Sequence, residues 1–214
     1  AWSLQDGTGG RFLELSPSLS LRPSDRTELS LSPTVAWNRD PAQYVGAFAA
    51  AGRTEYVVGG LDQTTASVVA RLDHTFTPAL SLQLYAQPFA SAGRFGELRA
   101  VADPRAAGFA ERFRPLGAGE RPADGSPARR LDLDGDGAVE TPLGEPSFNV
   151  ARLDASAVLR WEYRPGSTVF AVWSQGRGRF DADGRLRLRR DAGSLLDAPG
   201  THVLAVKVSW WMGM

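Results

Sequence analysis

The residues best placed to do chemistry are Asp132, Asp134 and Asp136, in the run Asp132-Leu133-Asp134-Gly135-Asp136-Gly137, with Glu140 close behind. Carboxylates at alternating positions, with a glycine to turn the chain, offer the oxygens at ~2.4 Å that calcium takes. The spacing matches the first half of an EF-hand loop. It departs at the twelfth position, where a Glu is expected and Leu143 stands. Glu140 then has to supply that ligand, through water. The competing reading is an acidic, solvated turn, and the residues alone leave both open. A second set is Arg71, Asp73, Arg160, Glu162 and Lys207, which fall on the polar side of alternating stretches. Such charges line an interior, where they either tune a path for a polar solute or pair with one another.

Other chemistries have little to stand on. The chain has no cysteine, which removes thiolate metal sites, disulfides and a Cys nucleophile. Its two histidines, His74 and His202, are too few for a multi-His metal centre. No Ser-His-Asp set and no phosphate loop are visible, so no enzyme is expected. Lys plus Arg equals Asp plus Glu, 24 against 24, so no bulk attraction to nucleic acid follows and no such partner is expected. The basic run containing Arg185, Arg187, Arg189 and Arg190 reads as a solvated hairpin, with lipopolysaccharide contact as the alternative.

The elements that position these residues announce themselves by alternation. In Phe12-Leu13-Glu14-Leu15-Ser16-Pro17-Ser18-Leu19-Ser20-Leu21-Arg22, odd positions are apolar and even positions mostly polar. The pattern returns in Leu29-Ser30-Leu31-Ser32-Pro33-Thr34-Val35-Ala36-Trp37. Strands place successive side chains on opposite faces, so each run has one apolar and one polar face. Strands are predicted at 11–22, 27–38, 54–77, 80–90, 150–163, 167–180 and 201–213. Most are about twice the length a β-sandwich uses. No apolar run reaches the ~18 residues of a membrane helix. A membrane protein built from this chain must therefore be a closed barrel. The expected fold is all-β, an antiparallel transmembrane barrel forming one region over 1–214.

The connections are expected to alternate in length. Those at 22–25, 77–79 and 164–166 are tight; 39–53, 91–148 and 181–200 are long. Outer-membrane barrels have short periplasmic turns and long extracellular loops, which makes 91–148 an extracellular loop. Asp103 to Phe113 is expected to hold a short helix within it. Phe76, Trp161, Tyr163, Trp210 and Trp211 gather near the tight turns, as interfacial aromatics do. In 167–180 the face is ambiguous, because Val169, Ala171 and Trp173 compete with Phe170 and Val172. Pro17 and Pro33 each remove a ladder hydrogen bond, so bulges or a break are expected there. Seven strands is an odd count, whereas single-chain bacterial barrels have an even one. The expectation is a C-terminal portion of a larger barrel. Splitting 54–77 at Gly59 to Thr64 gives a complete eight-stranded barrel and is the less favoured option. The start, from Ala1, has no basic or apolar leader character, so it does not read as a signal peptide.

Two segments carry a family likeness. One is Leu80-Ser81-Leu82-Gln83-Leu84-Tyr85-Ala86-Gln87-Pro88-Phe89. The other is Leu159-Arg160-Trp161-Glu162-Tyr163-Arg164-Pro165-Gly166-Ser167-Thr168-Val169-Phe170-Ala171-Val172-Trp173. With the acidic stretch before Pro146-Ser147-Phe148-Asn149, the sequence resembles the C-terminal membrane-barrel region of a bacterial family of unknown function. Members often carry an N-terminal carbohydrate-binding-like β-sandwich. The likeness spans roughly 27–214 and transfers no catalytic residues. The chain end differs, with Trp210-Trp211-Met212-Gly213-Met214 in place of the family's aromatic end. The resemblance implies an outer-membrane location, the lipid bilayer as partner, and a missing N-terminal domain of the same protein. The functional expectation is a pore or uptake channel for small polar solutes or saccharides. The alternatives are a non-transporting anchor and a soluble ligand-binding β-barrel.

Overall fold

In the computed structural model, which describes residues 2–5, 9–116, 129–139 and 141–212, the alternating runs are strands of one antiparallel sheet. The strands are β1 (Trp2–Gln5), β2 (Gly10–Leu15), β3 (Leu19–Ser24), β4 (Thr27–Ala50), β5 (Arg53–Thr77) and β6 (Leu80–Val101). After these come β7 (Phe113–Pro115), β8 (Arg129–Leu131), β9 (Thr141–Leu143), β10 (Phe148–Arg164), β11 (Ser167–Asp181) and β12 (Gly200–Ser209). The main sheet runs β1-β2-β4-β5-β6-β10-β11-β12, with β3 also on β4 and β7 also on β6. Long strands pair in chain order, as hairpins. The sheet does not close on itself, and β12 forms one edge, exposed along its whole length.

Both prolines matter in the way strand chemistry requires. Leu15 lies opposite Val35, and Leu19 opposite Leu31, so the register is unbroken and Pro17 falls opposite Pro33. Neither residue has an N–H to give, so the ladder opens at 16–18 and splits one strand into β2 and β3. Pro33 stays in register with Val68 on its other side, so β4 itself carries no bulge there.

The register also settles the faces. One cross-strand row reads Leu21, Leu29, Leu72, Leu84, Ala157, Trp173 and Leu204. The row one residue along reads Ser20, Ser30, Arg71, Tyr85, Ser156, Ser174 and Val203 on the opposite face. In β11 it is Val169, Ala171 and Trp173 that join the apolar face, opposite Val208, Val206 and Leu204. Phe170 and Val172 join the polar one, in register with Arg160 and Val158.

Three expectations are corrected. Residues 39–53 are not a long loop. β4 and β5 run on as one hairpin to a two-residue turn at Ala51-Gly52, both at positive φ. At ~3.4 Å per residue, β5 alone is about 85 Å long. Residues 91–101 belong to β6, so the long connection covers 102–147 and carries β7, β8 and β9. Asp103 to Phe113 holds only a 3-10 turn at Ala110–Arg112. The connection after β11 contains α1 (Leu188–Asp197).

The tightest packing lies at this far end, away from the tight turns. Val57, Leu98, Ala100, Leu116, Leu131 and Leu133 form a buried cluster, with Val45, Phe48 and Leu143 against it. Leu116, Leu131, Leu133 and Leu143 thus cap the projecting β4–β5–β6 tips. Along the rest of the sheet the apolar face stays substantially open, with Leu84, Leu159, Trp161, Leu204, Val206 and Val208 all exposed.

Candidate functional site

The acidic run is rooted in the cap. Leu131 and Leu133 are fully buried on either side of Asp132, and Arg114 donates to the Leu133 carbonyl. This pins the start of the loop. The Asp132 carboxylate accepts from Gly135 N–H at 2.6 Å and Gly137 N–H at 3.0 Å. Asp134 accepts from Asp136 N–H at 3.1 Å, and Asp136 from Ala138 N–H at 2.7 Å. Gly137 has φ of 89°, the left-handed conformation that a sixth-position glycine supplies in a calcium loop. One oxygen from each of Asp132, Asp134 and Asp136 lies within 4.8 Å of the others. Three carboxylates that close, on a folded-back loop, form a cradle suited to a hard divalent cation. Glu140 lies outside the described residues.

The five charges expected to line an interior share the polar face, and the structure joins two of them. Arg160 pairs with Glu162 at 3.0 Å. Arg71 lies over the Tyr85 ring at 5.5 Å rather than on Asp73. Asp73 and Lys207 have no ion-pair partner among the described residues. The same face carries two further pairs, one of them between Arg152 and Asp154, which the alternation of 150–163 also places there. Arg22 grips Glu28 with Nε at 3.1 Å and Nη2 at 2.9 Å, and Arg152 holds Asp154 at 2.7 and 3.1 Å. Their signal was available, since each lies in the same alternating runs. Between β6, β10, β11 and β12 the polar face holds a recess of about 430 Å³. The hydroxyls of Tyr85, Ser156, Ser174 and Thr201 and the carboxylate of Asp154 line it, a surface suited to a hydroxylated solute.

The basic stretch after β11 is not a free solvated hairpin. Gly184 packs so closely on the backbone at Gly93 that an added Cβ would meet its carbonyl oxygen at 2.7 Å. α1 then lies over the apolar face. Asp191, only 1 % exposed, accepts from Arg187 N–H at 2.7 Å and from Asn149 Nδ2 at 3.1 Å, and pairs with Arg179 and Arg190. Burial pushes its carboxyl up, but the hydrogen bonds from Arg187, Asn149 and Arg190 outweigh that and hold it below the ordinary range. Asp183 is held low by its hydrogen bond from Arg190, at 2.6 Å.

His74 and His202 both sit on the apolar face, at opposite ends of it. His74 Nδ1 meets the Thr27 hydroxyl at 2.9 Å, and His202 stacks on Trp173 with centroids 5.9 Å apart. Neither touches a carboxylate among the described residues.

Compared with protein-family models, curated proteins and solved structures, the chain shows no match to any of them.

Proposed function

We propose that these strands form part of the wall of a bacterial outer-membrane β-barrel, an arc of a larger barrel with its apolar face to lipid and its polar face to the lumen. The observation that carries the reading is an inversion of packing. The side chains a soluble sheet would bury are exposed or half-exposed in register across seven strands, while the buried cluster sits at the capped tips. The height of the band supports it. From Ala151 to Trp161 the apolar face is continuous along β10 and covers about 34 Å at ~3.4 Å per residue. Tilted by ~40°, this projects to about 26 Å, close to the ~25 Å band of outer-membrane barrels. Trp161 and Tyr163, rings 6.0 Å apart, stand at the tight-turn end, where an aromatic girdle belongs.

Within that reading the protein is a pore or uptake channel for small polar solutes. The saccharide assignment rests on the family likeness and on the hydroxyl-lined recess. A planar bilayer measurement tests it. The reconstituted protein gives discrete conductance steps, and Lys207→Glu shifts their ion selectivity toward cations. A folded, inserted protein that stays electrically silent defeats the channel. It would favour the second reading, a membrane anchor whose lumen is filled by pairs such as Arg22–Glu28 and Arg152–Asp154.

The acidic cradle is proposed as a calcium site that stiffens the cap. Calcium at a hundredfold excess over its Kd adds about 2.7 kcal/mol to the folded state. Chelator should lower the melting temperature of the wild type and leave Asp134→Ala unmoved. Indifference to chelator in both proteins retires the site.

A further inference from the structure

One row of the apolar face breaks its own rule. Directly above Leu13, Trp37, Thr64 and Ala92, the register aligns Arg11, Arg39, Asp62 and Arg94 across β2, β4, β5 and β6. Arg11 stands opposite Arg39, a like-charge cross-strand pair that costs stability unless something neutralises it. Among the described residues Asp62 pairs only with Arg39, at 3.5 Å. Arg185 borders the cavity along this row from the segment that precedes α1, so four arginines and one aspartate line it. No ion pair holds Arg11, Arg94 or Arg185 among the described residues. The cavity, of about 770 Å³, also takes in Leu13, Trp37 and Leu188.

Leu188 links this cavity to a second, of about 290 Å³, between α1 and the sheet. Its walls are apolar: Val35, Ala66, Val68 and Ala90 from the strands, Ala192 and Leu195 from the helix. A cationic chamber thus opens into an apolar slot, at the upper boundary of the apolar band. Guanidinium groups bind phosphate through charge-assisted, bidentate hydrogen bonds, and an apolar slot takes hydrocarbon. We infer that this is a binding site for a phosphorylated, acylated lipid, with phosphate on Arg11, Arg94 and Arg185 and an acyl chain under α1. The choice of a lipid rests on the membrane reading given above.

The test is native mass spectrometry of the full chain released from nonionic micelles, with three probes: a bisphosphorylated, acylated disaccharide lipid, an uncharged diacylglycerol and inorganic pyrophosphate. The expected result is one phosphorylated lipid retained per chain, with diacylglycerol lost. Changing Arg11, Arg94 and Arg185 together to Gln should cut retention at least about tenfold, given the strength of hydrogen bonds to charged groups. All three side chains are exposed, and an unchanged circular dichroism spectrum confirms that the variant folds. Equal retention by wild type and variant overturns the proposal. So does equal retention of diacylglycerol, and pyrophosphate bound as tightly as the lipid makes the site one for free phosphate. Every arm is read in micelles. A chain that needs no detergent therefore sinks the membrane reading, whereas indifference to the triple change sinks this inference alone.

Discussion

Asp191→Ala should release α1 from the sheet. Asp191 is the single buried acid on which Arg179, Arg190, Asn149 and the Arg187 N–H converge. Removing it leaves Arg179, whose side chain is 13 % exposed, without its most buried partner. Breaking a buried pair from one side costs about 3–5 kcal/mol, because the surviving charge remains out of water. The loss is local, since α1 packs chiefly on β10 and β11. Hydrogen exchange at 188–197 should rise by about two to three and a half orders of magnitude, as that energy implies, with the central amides of β5 unchanged. Arg179→Met combined with Asp191→Leu should recover most of the protection, because replacing both partners by apolar groups removes the orphaned charge. Acid acts through the same group. The folded carboxyl is held below its unfolded value, so the latch is at full strength above the ordinary carboxylate range. It weakens as the pH falls below that range. Protection at 188–197 that is unchanged in Asp191→Ala, or constant from neutral to strongly acidic pH, contradicts the assignment.

How far the sequence could be read follows from where its period holds. Between the tight turns and the proline break, alternation holds in every long strand but β11, where Phe170 and Val172 blur it. There all seven long strands, their order and most of their faces were legible from residues such as Leu29, Leu31, Leu72 and Leu84. Beyond that band the period slips. Register shifts lie between Asp40 and Gln43, between Tyr44 and Gly46, and between Gly59 and Leu61. Each moves the buried positions to the other parity, so Val57, Phe95 and Leu98 show no simple alternation. With Asp40-Pro41 and several glycines alongside, that stretch resembles a loop. Gly93 belongs to the same problem: an added Cβ would lie 2.5 Å from Phe148 Cε1, so the glycine marks a close approach rather than a turn. The signal for α1 was present in Leu188, Ala192 and Leu195, spaced as one helical face. It was masked by the arginines around it, whose acidic partner could be recognised only once Asn149 and Arg179 stood beside it. The clustering of Asp132, Asp134 and Asp136 was legible, while Glu140, the fourth residue expected with them, lies outside the described residues. The anchoring of the cluster by buried Leu131 and Leu133 was not legible, because an isolated leucine pair carries no period.

Leu72→Arg should be far more damaging than Gln83→Arg, although the two positions are near neighbours on adjacent strands. Leu72 lies mid-band on the apolar face, between Leu29 and Leu84. Gln83 stands on the polar face, directly opposite Asp73. If the apolar face meets lipid, an arginine at Leu72 must take its charge into hydrocarbon, at about 2–4 kcal/mol near the midplane. An arginine at Gln83 gains a carboxylate across the strand and should cost little. If the sheet is instead soluble, Leu72 is a half-exposed leucine whose replacement by arginine would change stability by less than about 1 kcal/mol. The deciding measurement is the folding free energy of both variants into lipid vesicles from urea, beside the wild type. The account predicts a wild type that requires detergent or lipid to stay dispersed, and a penalty of about 2–4 kcal/mol confined to Leu72→Arg. A wild type that remains monodisperse in plain buffer, with Leu72→Arg and Gln83→Arg equally stable, would contradict it.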